Sequence, residues 1–190
     1  MTSESHTHLS LLARLSKGVD ARAWADFLER YGDLIRAVCV RRGLQGADAE
    51  DVLQDVLVSL SRSMPGFSYD PSKGRFRSYL CAVVSNAISR RMRQSGPVAG
   101  LPSAAEAVPV EDDLWEEEWR QHHFRNAMRV VEQEFNPNDL SAFRMYAMEG
   151  RAVAVVGESL GMSVDAVYQA KSRVLKRLSA QIAAQVEEEG

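Results

Sequence analysis

Apolar residues recur at helical spacing along most of this 190-residue chain, and the alternation typical of β-strands is nearly absent. The first long stretch, residues 24–39, has apolar residues at i, i+3, i+4 and i+7. Two arginines followed by Gly43 predict where this helix ends. A second helix is predicted to open at Asp48, and a third to span about Phe76–Gln94. The pattern therefore predicts an all-α fold.

Two stretches interrupt the helical pattern. Residues 66–74 are rich in Gly, Pro, Ser and Asp, which predicts a loop. Residues 96–113 combine Ala, Pro, Gly and acids without periodicity, which predicts a flexible acidic linker. Helical spacing resumes after it. We therefore predict two small helical domains, at residues 1–95 and 114–190.

The net charge of −3 hides a strong segregation of charge along the chain. In residues 62–93, seven basic side chains stand against one acid, a net charge of +6. In residues 96–118, seven acids stand against no base, and residues 141–182 have a net charge of +3. Phosphates respond to the local field rather than to the average. The acidic average therefore does not exclude nucleic acid as a partner.

Several classes of protein are disfavoured by the composition. No apolar run approaches the roughly 20 residues that a membrane span needs. The start, MTSESHTHLS, lacks the basic and apolar regions of a secretory signal, so we expect a cytoplasmic protein without a membrane association. Cys39 and Cys81 lie in apolar helical stretches, which predicts buried thiols in a reducing compartment. No metal-ligand spacing is present, and no cofactor is predicted.

Motifs of catalysis are also missing from the sequence. We find no glycine-rich phosphate loop, no HExxH and no nucleophile elbow. His6 and His8 lie in a polar tail, while His122 and His123 are adjacent on a helix and face different ways. The chain is therefore not predicted to be an enzyme, and no catalytic residue is assigned.

A helix-turn-helix is predicted in the C-terminal half, at residues 153–172. Gly157 lies where the two helices approach most closely, and Gly161 lies in the turn, where a positive φ is needed. Ser163 is placed to cap the second helix, and Asp165 in its first turn suits the helix dipole. The residues expected to fill the shared core are Val156, Leu160, Met162, Val167 and Ala170.

The second helix of this pair has a divided surface. The residues expected to point inward are Val164, Val167, Val174, Leu175 and Leu178. Those left for solvent or a ligand are Tyr168, Gln169, Lys171, Ser172, Arg173, Lys176 and Arg177. A helix that reads a major groove needs such a surface, because Arg and Gln contact base edges while Lys, Ser and Tyr contact phosphates. The alternative is a solvated helix with basic residues for solubility.

At this point the chain resembles a known family. Residues 143–178 resemble the promoter-binding domain 4 of extracytoplasmic-function (ECF) sigma factors, and residues 24–94 resemble domain 2. The motifs behind the second likeness are DAED at 48–51, VLQDV at 52–56, FRSYL at 76–80, and Asn86. Both regions occur in family order and cover most of the chain. The lack of a third folded domain between the two basic blocks favours the ECF type over larger sigma factors.

The resemblance implies an alternative sigma factor that binds bacterial core RNA polymerase, recognises promoter −10 and −35 elements and helps to melt DNA. In the family, an acidic helix of domain 2 docks on the clamp helices of the polymerase β′ subunit. The residues implied here are Asp48, Glu50, Asp51, Leu53, Gln54 and Asp55. Acids in a first helical turn suit both the dipole and a basic partner. They could also stabilise the helix without a partner, but Gln54 and Asp55 lie beyond the first turn and favour the contact.

The same resemblance assigns two sets of DNA-binding residues. Those facing the −10 element would be Phe67, Lys73, Arg75, Phe76, Arg77, Tyr79, Asn86, Arg90, Arg91 and Arg93. Those facing the −35 element would be Ser163, Val164, Asp165, Tyr168, Gln169, Lys171, Ser172, Arg173, Lys176 and Arg177. Melting a promoter needs a pocket for a flipped base, aromatic surfaces and cations along single-stranded backbone. Phe76 and Tyr79 are expected to be at least partly buried.

Further partners implied by the family are the polymerase β flap and an anti-sigma factor or other inhibitor. Two features depart from the family or vary within it: Ala154 and Val155 stand where acids are usual, and residues 114–129 form a variable segment expected to pack onto domain 4. Two alternatives stay open. One is a dimeric helix-turn-helix regulator that acts without polymerase and has a sensor or dimerisation domain at its N-terminus. The other is an adaptor that uses the acidic helix to hold a protein partner.

Overall fold

The structure is a computed structural model that describes residues 8–17, 20–66, 76–94 and 112–188. These ranges contain no β-strand, and the predicted all-α fold is confirmed. The helices are α1 (His8–Leu15), α2 (Ala21–Arg41), α3 (Gly46–Ser63), α4 (Phe76–Gln94), α5 (Asp112–Glu134), α6 (Pro137–Phe143), α7 (Val153–Leu160) and α8 (Val164–Glu188). A π-helical turn, Arg144–Met148, follows α6. The predicted loop beyond Gly66 and the predicted linker up to Glu111 lie outside the described residues.

The chain divides into two compact units between His122 and His123. The division therefore falls within α5, whereas the sequence predicts that the second domain begins at residue 114. No helix in the described ranges has the length and apolar character needed to cross a lipid bilayer.

The first unit is organised around α2. This helix begins where the Asp20 carboxylate accepts a hydrogen bond from the backbone N–H of Ala23 at 3.0 Å. It ends at Arg41, two residues before Gly43, whose φ is 86°. Its predicted apolar face is buried, and burial raises the pKa of the Cys39 thiol to about 12. Cys39 therefore stays protonated at neutral pH. Cys81, by contrast, is only partly buried, so its predicted burial is incomplete.

The first half of α5 completes this core. Trp115 and Trp119 are each 3% exposed, and the Trp119 ring stacks on Tyr31 with ring centroids 5.9 Å apart. His122 lies against the same Tyr31 ring at 6.4 Å. The expectation that residues 114–129 pack onto the second domain is therefore wrong for their first half. Large aromatic rings need a partner surface, and the periodicity of α5 does not say which unit supplies it.

An ion-pair cluster attaches α1 to the start of α2. Arg14 donates to Asp20 at 2.8 Å and to Asp26 at 2.6 Å. The hydrogen bond from Arg14 lowers the pKa of Asp20 from 3.8 to about 2. Because the folded-state pKa is depressed, the stabilisation is fully present above the unfolded pKa and disappears as the pH falls through the folded pKa.

We therefore expect Asp20→Asn to remove part of the acid sensitivity of the first unit between about pH 4 and pH 2. The measurement is the urea midpoint, followed by tryptophan fluorescence, as a function of pH. Glu29→Gln, at an exposed acid of the same helix, is the matched control. Parallel pH profiles for the parent and the Asp20 variant would contradict the role of this ion pair.

The second unit contains two helices that cross at a glycine. A Cβ atom on Gly157 of α7 would lie 2.6 Å from the backbone carbonyl oxygen of Met162, so this approach requires glycine. Gly161 in the turn has a φ of 64°, as predicted. The Ser163 hydroxyl accepts a hydrogen bond from the backbone N–H of Ala166 at 3.2 Å and caps α8. The predicted core between α7 and α8 forms around Val156, Val167 and Ala170, with Leu160 and Met162 packed against it.

Candidate functional site

The acids predicted to bind polymerase lie along α3, which begins at Gly46 rather than at Asp48. Glu50, Asp51 and Gln54 are exposed, and Asp48 and Asp55 are half-buried. We call these five residues the acidic face of α3. Leu53, predicted with them, is 3% exposed and packs in the core of the first unit, so its side chain is not part of this surface.

Arginines of the first unit bind the acidic face of α3. Arg91 of α4 donates to Asp48 at 2.5 and 2.9 Å and lies 2.8 Å from Asp51. Arg36 of α2 donates to both carboxylate oxygens of Glu50, at 2.6 and 3.2 Å. This hydrogen bonding lowers the pKa of Glu50 and raises that of Arg36. Arginines of neighbouring helices thus hold the acids in place, and their positive charges reduce the local negative charge of the face.

Arg90 and Arg91 differ in what they can offer DNA. Arg91 is tied to the acids of α3, and its hydrogen bond to Asp48 raises its pKa. Arg90 is half-exposed and lies 3.8 Å from Asp55, a much looser approach. Arg93 is exposed at the end of α4. Of these three predicted phosphate contacts, Arg90 and Arg93 are the better placed, while Arg91 joins α3 to α4.

The remaining residues predicted to face the −10 element occupy different environments. Phe76 is 2% exposed, so its ring belongs to the core. The half-buried Tyr79 has its hydroxyl 2.6 Å from that of Ser63, which fixes the ring on the surface of α4. Arg77 donates to Glu116 of α5 at 2.5 Å, and Asn86 is exposed. The expected partial burial of Phe76 and Tyr79 is confirmed; Phe67, Lys73 and Arg75 lie outside the described residues.

In the second unit, α8 presents much of its predicted polar surface to solvent. Tyr168 is 45% exposed, and Asp165, Gln169, Ser172 and Lys176 are also exposed. Val167, Val174 and Leu178 point inward as predicted.

Two residues expected to point inward do not. Val164 is 43% exposed and Leu175 is 45% exposed, so the prediction that they lie inside is wrong. Val164 is the first residue of α8, where no preceding turn covers it. Leu175 follows the buried Val174 and is turned about 100° away from it around the helix. Both are apolar surface on the helix that is predicted to enter the groove.

Carboxylates hold both arginines of the predicted recognition surface. Arg177 donates to the two oxygens of Glu134 at 2.6 and 2.7 Å, which lowers the pKa of that acid. Arg173 donates at 2.7 Å to Asp139, whose side chain is only 11% exposed. These pairs attach α8 to α5 and α6 and neutralise two of its positive charges. The sequence predicted the arginines but not their partners.

A residue missed by the sequence analysis lies beside the same surface. The ring of Tyr146, in the π-helical turn, packs edge to face with the Tyr168 ring, with centroids 5.5 Å apart and planes at 80°. The Lys171 ammonium lies 5.2 Å from the centroid of the Tyr146 ring. No local pattern marks Tyr146, because its partners lie on a different helix.

Comparison with known proteins finds similarity to bacterial sigma factors. Residues 27–97, which include both the acidic face of α3 and all of α4, match the profile of sigma-70 region 2. The chain is 22% identical over 147 residues to the ECF RNA polymerase sigma factor SigE of Mycolicibacterium smegmatis. That match covers 76% of this chain and 56% of the relative, so the chain spans only about half of the relative's length.

The chain is thus similar to sigma-70 region 2 over residues 27–97 and, over a longer range, to a sigma factor of the ECF type. Among solved structures, that of CnrH in complex with the cytosolic domain of CnrY contains a chain that is 19% identical to this one, with a TM-score of 0.37. That likeness covers 92% of this chain and 96% of the other.

Proposed function

We propose that the chain is an alternative sigma factor that binds bacterial core RNA polymerase in the cytoplasm and directs it to promoters with particular −10 and −35 elements. The single observation that supports this most is the match of residues 27–97 to sigma-70 region 2. This range contains the acidic face of α3 and the basic end of α4, which are the two surfaces that such a role requires.

The acidic face of α3 would dock on the β′ clamp helices. Its exposed carboxylates suit a basic partner, and Gln54 adds an exposed hydrogen-bonding group to the face. Arg36 and Arg91 hold the carboxylates in fixed positions, so that binding orders fewer side chains. The polymerase β flap and an inhibitor such as an anti-sigma factor are further proposed partners.

The −10 element would meet α4 and the segment before it, with Phe67, Lys73 and Arg75 included in the proposal. Asn86 and Tyr79 supply a hydrogen-bonding group and an aromatic ring, and Arg90 and Arg93 supply cations for the backbone. The −35 element would meet the N-terminal half of α8, where Gln169 and Tyr168 are exposed.

Run-off transcription tests this proposal. The full-length chain is added to bacterial core polymerase with a library of promoter fragments, and the transcripts are sequenced. We expect initiation from a subset of promoters only when both proteins are present. Duplex binding without any polymerase-dependent transcription would refute the proposal and favour a helix-turn-helix regulator.

Within the −35 surface, we expect base reading and phosphate contact to separate along α8. Gln169→Ala should change which −35 sequences are preferred, by about 1–3 kcal/mol for a bidentate base contact. Lys176→Gln should weaken binding to all sequences alike and flatten the salt dependence, because each phosphate contact releases counterions. Selection from a randomised library at two salt concentrations measures both effects.

Arg177→Gln provides the comparison for this pair of variants. Its guanidinium is bound to Glu134, so the substitution should lower the stability of the second unit with little change in the salt dependence. A change of sequence preference in the Lys176 variant, with only lost affinity in the Gln169 variant, would reverse the proposed orientation of α8.

A further inference from the structure

The three side chains of Tyr146, Tyr168 and Lys171 form a cluster on the second unit. Tyr146 comes from the π-helical turn, and the other two are one turn apart on α8. The rings of Tyr146 and Tyr168 meet edge to face, and the Lys171 ammonium lies over the Tyr146 ring. The hydrogen bond between the tyrosines raises the pKa of Tyr168. Edge-to-face rings and a cation over a ring are both attractive arrangements.

The way in which Lys171 is held differs from the way in which the arginines of α8 are held. Asp139 and Glu134 neutralise the charges of Arg173 and Arg177. Tyr146, in contrast, is a neutral ring, so it can orient Lys171 without cancelling its charge. The ammonium also keeps N–H donors for another acceptor, because a ring face accepts no full hydrogen bond. Lys171 is thus a preorganised cation with its net charge intact.

We infer that Tyr146 is a positioning residue for DNA binding: it fixes Lys171 and Tyr168 in the orientation in which they contact the phosphate backbone at the −35 element. This inference rests on the proposed function of α8 and adds to it a residue outside the helix. A flexible lysine loses rotamer freedom on binding, and a residue that restricts it beforehand lowers that cost.

The test uses the full-length chain assembled with bacterial core polymerase and the −35 duplex that the parent complex selects from a randomised library. Affinity is measured by fluorescence anisotropy over a series of NaCl concentrations, for Tyr146→Leu, Tyr146→Phe, Lys171→Met and the double variant Tyr146→Leu with Lys171→Met. Tyr146→Leu and Lys171→Met should each weaken binding about two- to fivefold. Each should also reduce the salt slope, which is the slope of the logarithm of the association constant against the logarithm of the NaCl concentration. The reduction should be up to about 0.9 for one lost phosphate contact. The double variant should be no worse than either single one.

Two further observations separate positioning from a purely structural role. Tyr146 also packs against the core of α7 and α8, so Tyr146→Leu should lower the melting temperature. A loss of stability lowers the affinity by the same factor at every salt concentration, so it leaves the salt slope unchanged. Tyr146→Phe keeps the ring and should keep the parental slope.

Either of two results would overturn the inference: a parental slope in Tyr146→Leu, or additive losses in the double variant. If the parent assembled with core polymerase selects no −35 sequence, the proposed function fails and the inference fails with it. Parental binding without the expected pattern among the variants refutes the inference alone.

Discussion

Gly157→Ala is expected to lower the free energy of unfolding of the second unit by about 1–3 kcal/mol, and Gly157→Leu by more. The added Cβ would lie 2.6 Å from the Met162 carbonyl oxygen. Because that atom is backbone, it can move away only if the turn between α7 and α8 opens. The same opening would shift α8 and weaken binding to −35 DNA.

A matched control exists in the first unit. Gly32 is also a buried helical glycine, but a Cβ there would lie 3.1 Å from the Arg36 guanidinium and 3.9 Å from the Leu28 side chain, both of which are flexible side-chain ends rather than backbone. Alanine is favoured over glycine inside a helix by about 0.5–1 kcal/mol, and this gain should offset the cost of displacing the Arg36 side chain. Gly32→Ala should therefore change the free energy of unfolding little.

The two units can be followed separately. All three tryptophans, Trp24, Trp115 and Trp119, lie in the first unit, so fluorescence reports on that unit while far-UV circular dichroism reports on both. The Gly157 variants should change the dichroism transition and leave the fluorescence transition in place. A Gly157→Ala variant as stable as the parent would contradict the close approach of α7 to the turn.

Charge reversal on the acidic face of α3 should have the second large effect. The triple change Asp48→Lys, Glu50→Lys and Asp51→Lys is expected to weaken association with core polymerase on the order of a hundredfold. Like charges would then face the basic partner surface, a juxtaposition that costs several kcal/mol. Surface plasmon resonance with immobilised core polymerase measures the affinity, and circular dichroism checks that helicity is retained.

This triple change also removes the ion pairs with Arg36 and Arg91, so a second variant is needed. Arg36→Met with Arg91→Met breaks the same pairs but leaves the acids in place and makes the face more negative. It should associate with polymerase at least as rapidly as the parent, because complementary charge raises association rates, and it should lose much less affinity than the triple variant even though the acids are no longer held in fixed positions. Equal losses in both variants would mean that broken pairing, rather than lost charge, explains the effect.

The local sequence was sufficient for the helices and their ends. The predicted span of α4, Phe76–Gln94, is the observed one, because hydrogen bonds within a helix connect residues only four positions apart. The positive φ of Gly161 and the cap by Ser163 were likewise predicted, since each depends on a few neighbouring residues. The start of α3 was misplaced because no side-chain cap marks it.

The candidate site was predicted as a set of residue types, but not as a set of contacts. The sequence placed Asp48 in a polymerase surface and Arg91 in a DNA surface; the structure joins them by hydrogen bonds although they are 43 positions apart. Arg177 and Glu134 are separated by the same number of positions and are also paired. Nothing local to any of these residues identifies its partner.

Sequence alone thus determined the all-α fold, the glycine positions of the helix-turn-helix at Gly157 and Gly161, and the resemblance to ECF sigma factors, which the region 2 match and the similarity to an ECF sigma factor support. Tertiary structure alone decided which unit receives Trp119 and which charges on α8 are neutralised. The physical reason is the distance along the chain over which each kind of interaction acts. Periodicity and capping act within about one or two helical turns, whereas packing and ion pairing depend on how helices cross.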